Sequence, residues 1–290
     1  MNQTVIDYTY IQNTIWQMKA LYPAIRVNRI GKSVVGRSIY AMELGRESAP
    51  ALLFLGTFNG RDCYTGEYLL SWFLRVAKAV TNKEKIDGVP SLELIRRNRI
   101  VIIPFVNPDG REICERGAHC AGVDYGRIKR LSKGNTNRWN ANARGVDIRY
   151  NFDFRFTNRK KQQESKGIYS PCGEGYCGPS PESEPETIAI TSFCRNHRIS
   201  QAVCLYPGNG SVYWRSVGCD CEIAEKQANV MGVVSGYEVE ASVGCAIDSG
   251  FRNWFCASFH KPAFDIMVYP TKDSAHMARV YELLTLSCLF

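Results

Sequence analysis

Ala51-Leu52-Leu53-Phe54-Leu55-Gly56 is a continuous apolar run closed by a glycine, and Ile100-Val101-Ile102-Ile103-Pro104-Phe105-Val106 is a second. Short runs apolar at every position read as strands buried on both faces, as in a sheet covered by helices on each side. A helix is expected between them, over about Tyr64 to Val80. Working outward, Ile25–Ile30 and Ser38–Leu44 alternate as strands around a Gly31–Gly36 turn, and Tyr8–Tyr22 carries helical spacing that stops at Pro23. Ala202–Leu205, Val212–Trp214 and Ala263–Val268 follow as strands, alternating with helices around Glu182–Asn196, Glu222–Met231 and Ala275–Leu286. Strands alternating with helices along the whole chain define one α/β domain over residues 1–290.

The segment Gly110–Gly178 is rich in Gly, Asn, Arg and Lys and weakly periodic, which predicts long irregular loops of the functional kind. Ligands in open α/β sheets bind at the carboxyl ends of strands. That directs attention to Thr57–Arg61, Val106–Gly110, Tyr206–Gly210 and Met267–Pro270.

Composition bounds the function. A chain of 290 residues, 45% hydrophobic and 22% charged, buries a full core without staples. No stretch of about 18 apolar residues occurs, so no membrane partner is expected. The net charge of +8 comes in runs such as Arg96-Arg97-Asn98-Arg99 and Arg159-Lys160-Lys161, without the aromatic interleaving or module that nucleic-acid binding needs. No nucleic-acid partner is expected, and an acidic ligand is the milder implication. The N-terminus lacks a signal-peptide pattern, which for a full-length chain predicts a cytoplasmic protein. The 12 cysteines are spread along the chain, several in apolar runs (Cys204, Cys256, Cys288), and read as buried thiols. Two local pairs, Cys172/Cys177 and Cys219/Cys221, leave a zinc cluster as an alternative. The histidines are four: His119, His197, His260 and His276. His197 reads as a helix-end residue, His260 as exposed, and His119 and His276 as lacking a partner.

Five motifs in order resemble the zinc carboxypeptidase family. Gly56-Thr57-Phe58-Asn59-Gly60-Arg61-Asp62 with Thr65-Gly66-Glu67-Tyr68 is similar to its first metal loop and helix. Asn107-Pro108-Asp109-Gly110, by itself most simply a turn, matches a second motif, and Arg144-Gly145-Val146-Asp147 with Asn151-Phe152 a third. Ser183-Glu184-Pro185-Glu186-Thr187 matches the fourth, and Gly250-Phe251-Arg252-Asn253-Trp254-Phe255 with Lys261-Pro262-Ala263-Phe264 the last. The flavour is that of the bacterial branch that cleaves γ-D-glutamyl-L-diamino acid bonds. The resemblance implies a mixed, about eight-stranded twisted sheet between helices.

It also implies site residues. The family's His-x-x-Glu falls on Asn59 and Asp62, its distant histidine on Tyr206 and its catalytic glutamate on Met267. Asn is a poor zinc ligand beside imidazole, Tyr is a neutral phenol at pH 7, and Met transfers no proton. No cofactor is therefore expected, with zinc returning only if a rearranged site is active. Asp265 shares a strand face with Met267 and is a possible substitute carboxylate. Arg61, Arg149, Tyr150 and Arg252 fall on substrate-binding positions. Arg252 falls at the base of the specificity pocket, where it would favour an acidic side chain, or else is a surface residue at a helix start. Cys245 takes roughly the place of the family's mobile tyrosine. The resulting expectation is a family member that has lost zinc and peptidase activity and keeps a cleft for a peptide, possibly an acidic or diaminopimelate-containing one. The alternatives are an active carboxypeptidase or γ-D-glutamyl-diamino acid peptidase with a rearranged site, and a structural interaction module.

Overall fold

The computed structural model describes residues 6–219, 221–240 and 250–290. The first helix among the described residues is α1 (Tyr8–Leu21), where the Asp7 carboxylate accepts from the Tyr10 N–H and Ile11, Ile15 and Met18 form the buried stripe. Strands β1 (Arg26–Lys32), β2 (Ser38–Leu44) and β3 (Ala51–Leu55) follow, then α2 (Thr65–Asn82). A small hairpin, β4 (Lys85–Ile86) and β5 (Val89–Pro90), leads through α3 (Ser91–Leu94) to β6 (Arg99–Ile103). After the middle segment come α7 (Pro185–Asn196), β7 (Ile199–Pro207), β8 (Ser211–Tyr213), α8 (Cys221–Ser235), β9 (Glu238–Glu240), α9 (Phe251–Phe259), β10 (Ala263–Val268) and α10 (Ser274–Ser287).

Among the described residues the main sheet has eight strands in the order β1-β2-β6-β3-β7-β10-β8-β9. Strands β6, β3, β7 and β10 run parallel through its centre, while β1, β2 and β8 make antiparallel pairings toward the edges. The sheet is mixed, as expected.

All five residues of β3 and of β6 are buried, because alternate side chains enter two different cores. On one face Leu52, Phe54, Ile100, Ile102, Val203, Leu205, Phe264 and Ile266 pack with α1, α2, α8 and α10. On the other, Leu53, Leu55, Val101, Ile103, Ala202 and Cys204 pack against Ala189, Ile190 and Phe193 of α7 and Phe251, Trp254 and Phe255 of α9. Strand β3 has β6 on one side and β7 on the other, so their connections depart in opposite directions and open a crevice at the strand ends.

The middle segment corrects one expectation. Gly110–Gly178 is not continuous loop: it contains the end of α4 (Pro108–Arg116), α5 (Tyr125–Leu131), α6 (Phe156–Ser165) and tight turns at Ala118–Asp124 and Ile148–Tyr150. Helix α6 escapes a periodicity reading because two of its three buried residues, Arg159 and Gln163, are polar. Strands β4, β5 and β9, two or three residues each, are too short to show a pattern. Among the described residues no helix is long and apolar enough to cross a membrane.

Candidate functional site

Register decides what reaches the crevice. In the parallel β7–β10 pair, Cys204 stands opposite Asp265 and Tyr206 opposite Met267. Partners in register share a face, and these four lie on the face opposite Val203, Leu205, Phe264 and Ile266. At its open end lies a cleft of about 130 Å³, lined by Asn59, Arg149, Tyr150, Tyr206, Pro207, Asp265 and Met267. Six of the sequence-derived candidates therefore converge.

The Asn59 loop leaves β3 through Thr57, buried in the left-handed region at φ 50°. A non-glycine there is strained and held by its surroundings. The Thr57 N–H donates to Thr65 Oγ1 at 2.8 Å, and its carbonyl accepts from the Asn107 N–H at 3.0 Å. A Cβ at Gly60 would lie 2.4 Å from the carbonyl oxygens of Gly110 and Trp139, so only glycine lets the three loops meet. Asn107-Pro108-Asp109-Gly110 is more than a turn. It starts α4: the Asn107 side chain accepts from the Gly110 N–H, and its amide donates to the carbonyls of Phe58 and Asn140. The Asn59 Oδ1 atom is buried with no hydrogen-bond partner among the described residues.

Asp62 is committed elsewhere. It is buried, its Oδ1 accepts from the N–H groups of Tyr64 and Thr65 at 3.0 Å, and Oδ2 accepts from the Thr65 hydroxyl. Burial raises its carboxyl above the usual range in spite of those bonds. It does not line the cleft, and neither does exposed Arg61. Tyr206 lies 5.1 Å from the Phe58 ring, and burial, with Cys204 and Asp265 beside it, raises its phenol well above the ordinary value.

Arg149 reaches the cleft already paired. Its Nε and Nη2 donate to the two oxygens of Asp147 at 3.0 and 2.7 Å, and Nη2 also to Glu174 at 3.1 Å. Burial alone would raise the Asp147 carboxyl, but the Arg149 charge and donors outweigh it and hold it low. Arg149 Nη1 makes no hydrogen bond among the described residues, which leaves one donor edge for a ligand. Tyr150 stacks under Arg159, whose guanidinium carbon is 3.6 Å from the ring centroid, and burial raises its phenol.

Arg252 is not on the surface. It opens α9 but is 1% exposed, and its Nε donates to Asp265 Oδ2 at 2.8 Å. Asp265 is equally buried, so the possible substitute carboxylate is bound to the residue assigned to acidic specificity. No single position reveals this pair; only the packing of α9 on β10 brings the two together.

The remaining candidates stand apart. Cys172 Sγ donates to the Glu174 carbonyl at 2.9 Å and Cys177 Sγ to that of Gly178, with no disulfide between them. Cys219 lies beside Cys256, while Cys245 and the Cys221 side chain fall outside the described residues. His197 ends α7 and bonds the Phe193 carbonyl, as a helix-end residue should. His260 is exposed and bonds Gly218. The expectation that His276 lacks a partner is corrected, because its Nε2 meets the Tyr237 hydroxyl at 3.1 Å.

Comparison with known proteins agrees with this frame. The family profile described as zinc carboxypeptidase matches residues 11–233. The chain belongs to that family. An uncharacterized protein of Bacillus subtilis, YqgT, is 24% identical over 91% of this chain and 70% of its own length. Gamma-D-glutamyl-L-diamino acid endopeptidase 1 of Lysinibacillus sphaericus is 22% identical over 90% of this chain and 64% of its own. Among solved structures, thrombin activatable fibrinolysis inhibitor superposes at TM-score 0.74 and 17% identity, covering 98% of this chain and 75% of that one. The murein-tripeptide amidase MpaA of Escherichia coli O157 superposes at 0.57 and 18%, covering 91% and 92%.

Family membership corrects the expectation of no cofactor: the family is one of zinc carboxypeptidases, and zinc is the metal of the class. Its fit to the matched side chains is a separate matter. The orphaned Asn59 oxygen suits a cation or a donor. Asp62, however, spends both oxygens on the start of α2, and Tyr206 holds its proton. An amide, a committed carboxylate and a neutral phenol do not fit a tetrahedral zinc site of the usual nitrogen, thiolate and free carboxylate donors.

Proposed function

We propose that this family member binds a peptide in the cleft between β3, β7 and β10 and does not hydrolyse it. The observation that carries the reading is Met267 on the cleft wall, with Asp265 as its nearest acidic strand neighbour buried against Arg252. Peptide hydrolysis needs a group that takes a proton from water and returns it to the leaving amine. A thioether does neither, and a carboxylate held by a buried guanidinium is poorly placed to do so.

Binding groups persist beside that loss. Arg149 offers Nη1, Tyr206 offers a hydroxyl, Tyr150 offers an aromatic wall, and Asn59 offers an oxygen without a partner among the described residues. Such a set suits a peptide end, with the guanidinium on a carboxylate and the oxygens on N–H groups. A peptidoglycan-derived peptide is the ligand class that the names of the Lysinibacillus and Escherichia proteins suggest. The test is calorimetric binding of γ-D-glutamyl-diaminopimelate peptides alongside a hydrolysis assay with zinc supplied. Binding without turnover supports the reading, and turnover or absent binding rejects it.

A further inference from the structure

We propose that Cys219 and Cys256 are a thiol–disulfide exchange pair, which a small organic disulfide closes reversibly into a bond between the segment 215–219 and α9.

The backbone brings the two cysteines together. The segment 215–219 lies between β8 and α8 and is fastened to α9 at two points. Arg252 Nη1 donates to the Arg215 carbonyl and the Ser216 hydroxyl, and His260 Nδ1 meets the Gly218 carbonyl at 2.8 Å. A Cβ at Gly218 would stand 3.0 Å from the Ala257 Cα and the Cys256 carbonyl oxygen, so the two chains touch beside the cysteines. Cys219 packs on the core that holds Cys256, and the two thiols share a hydrogen bond. Neither is in a disulfide. A disulfide forms only where two backbones come this close. Cys172 and Cys177, paired by their spacing in the sequence, instead turn their thiols to separate carbonyls, those of Glu174 and Gly178.

The two thiols differ as an exchange pair requires. Cys219 is half-buried and within reach of an oxidant, whereas Cys256 is buried behind it. The hydrogen bond to Cys219 lowers the Cys256 thiol below its ordinary value against the opposing effect of burial, and the Ser216 hydroxyl and the Arg252 charge add to it. Burial instead pushes up the thiols of Cys63, Cys114, Cys172 and Cys204. The thiolate is the nucleophile in exchange.

The chemistry balances in two steps. Cys219 loses its proton to water, and its sulfur attacks one sulfur of the organic disulfide; that S–S bond breaks and one thiolate leaves. The Cys256 thiolate then attacks the Cys219 sulfur, the mixed S–S bond breaks, and the second thiolate leaves. The two protein thiols are oxidised to one disulfide, and the organic disulfide is reduced to two thiols.

The test treats the folded wild-type protein with oxidised glutathione, alkylates the remaining thiols and maps the peptides by mass spectrometry. Cys219 and Cys256 are expected in one cross-linked peptide pair, each alkylated about tenfold less than in untreated protein, and both restored by dithiothreitol. In Cys256→Ala, Cys219 is expected to stop as the mixed disulfide with glutathione. A wild-type protein whose Cys219 and Cys256 remain alkylatable overturns the proposal. So does one in which Cys219 stays glutathionylated or bonds a different cysteine. If Cys256→Ala does not fold, the wild-type map alone decides.

Discussion

Arg252, at the start of α9, donates its Nε–H to Asp265 on β10 across 2.8 Å, and neither side chain meets solvent. The pair joins a helix of one layer to a central strand directly behind the cleft wall. Breaking it strands a charge in the core. Arg252→Met is expected to destabilise the fold by about 3–5 kcal/mol, and a second change, Asp265→Leu, to recover most of that loss. Urea denaturation of the single and double variants measures it.

Gly208 packs against the wall of the cleft. A Cβ there would stand 2.5 Å from the Cβ of Met267, and the Gly208 N–H is bound to the Val268 carbonyl at 2.7 Å. Gly208→Ala is expected to cost about 1–3 kcal/mol by overpacking, with most of the cost relieved by Met267→Ala. Additive losses in a double-mutant cycle would show that the two positions do not touch.

Glu186 sets a pH dependence. Burial, and then the nearby Asp109 charge, push its carboxyl up to about 8, although the Val34 N–H and the Asn142 amide donate to it. Glu184 on the same Asn142 amide and Arg37 on Asp109 complete the charged surroundings. The folded state keeps a proton that the unfolded chain releases near its ordinary 4.5. The contribution is therefore full below about 4.5, falls as pH rises toward 8, and is flat above. Asp62 and Asp265, also raised, act in the same direction, whereas lowered Asp7 and Asp147 lose their contribution only in stronger acid. Thermal midpoints from pH 5 to 9 should fall for the wild type and fall less for Glu186→Gln.

Arg149 is expected to hold the ligand by its free edge. Arg149→Lys keeps a charge beside Asp147 and removes the planar fork. Peptide affinity should drop about tenfold. Unchanged affinity in calorimetry would remove Arg149 from the binding role.

Much of this was legible in the sequence because it rests on strong local patterns. The apolar runs at Ala51 and Ile100 are strands, and the order of motifs placed Asn59, Tyr206 and Met267 on one cleft. What was not legible depends on tertiary contact. Arg252 and Asp265 are 13 positions apart and reveal their pairing only when α9 packs on β10. Asp62 reads as a ligand by position, but the start of α2 claims both of its oxygens. Helix α6 hides because the side chains it buries are partly polar.

The central claim is that the cleft binds peptide and does not cut it, for want of a group that moves a proton at Met267. One measurement tests it most directly. The purified protein, supplied with zinc, is incubated with γ-D-glutamyl-diaminopimelate peptide, and bound and cleaved peptide are followed together by calorimetry and mass spectrometry. The account predicts saturable binding with the peptide recovered intact. Stoichiometric cleavage products from the wild-type protein, abolished in Asp265→Asn, would contradict it.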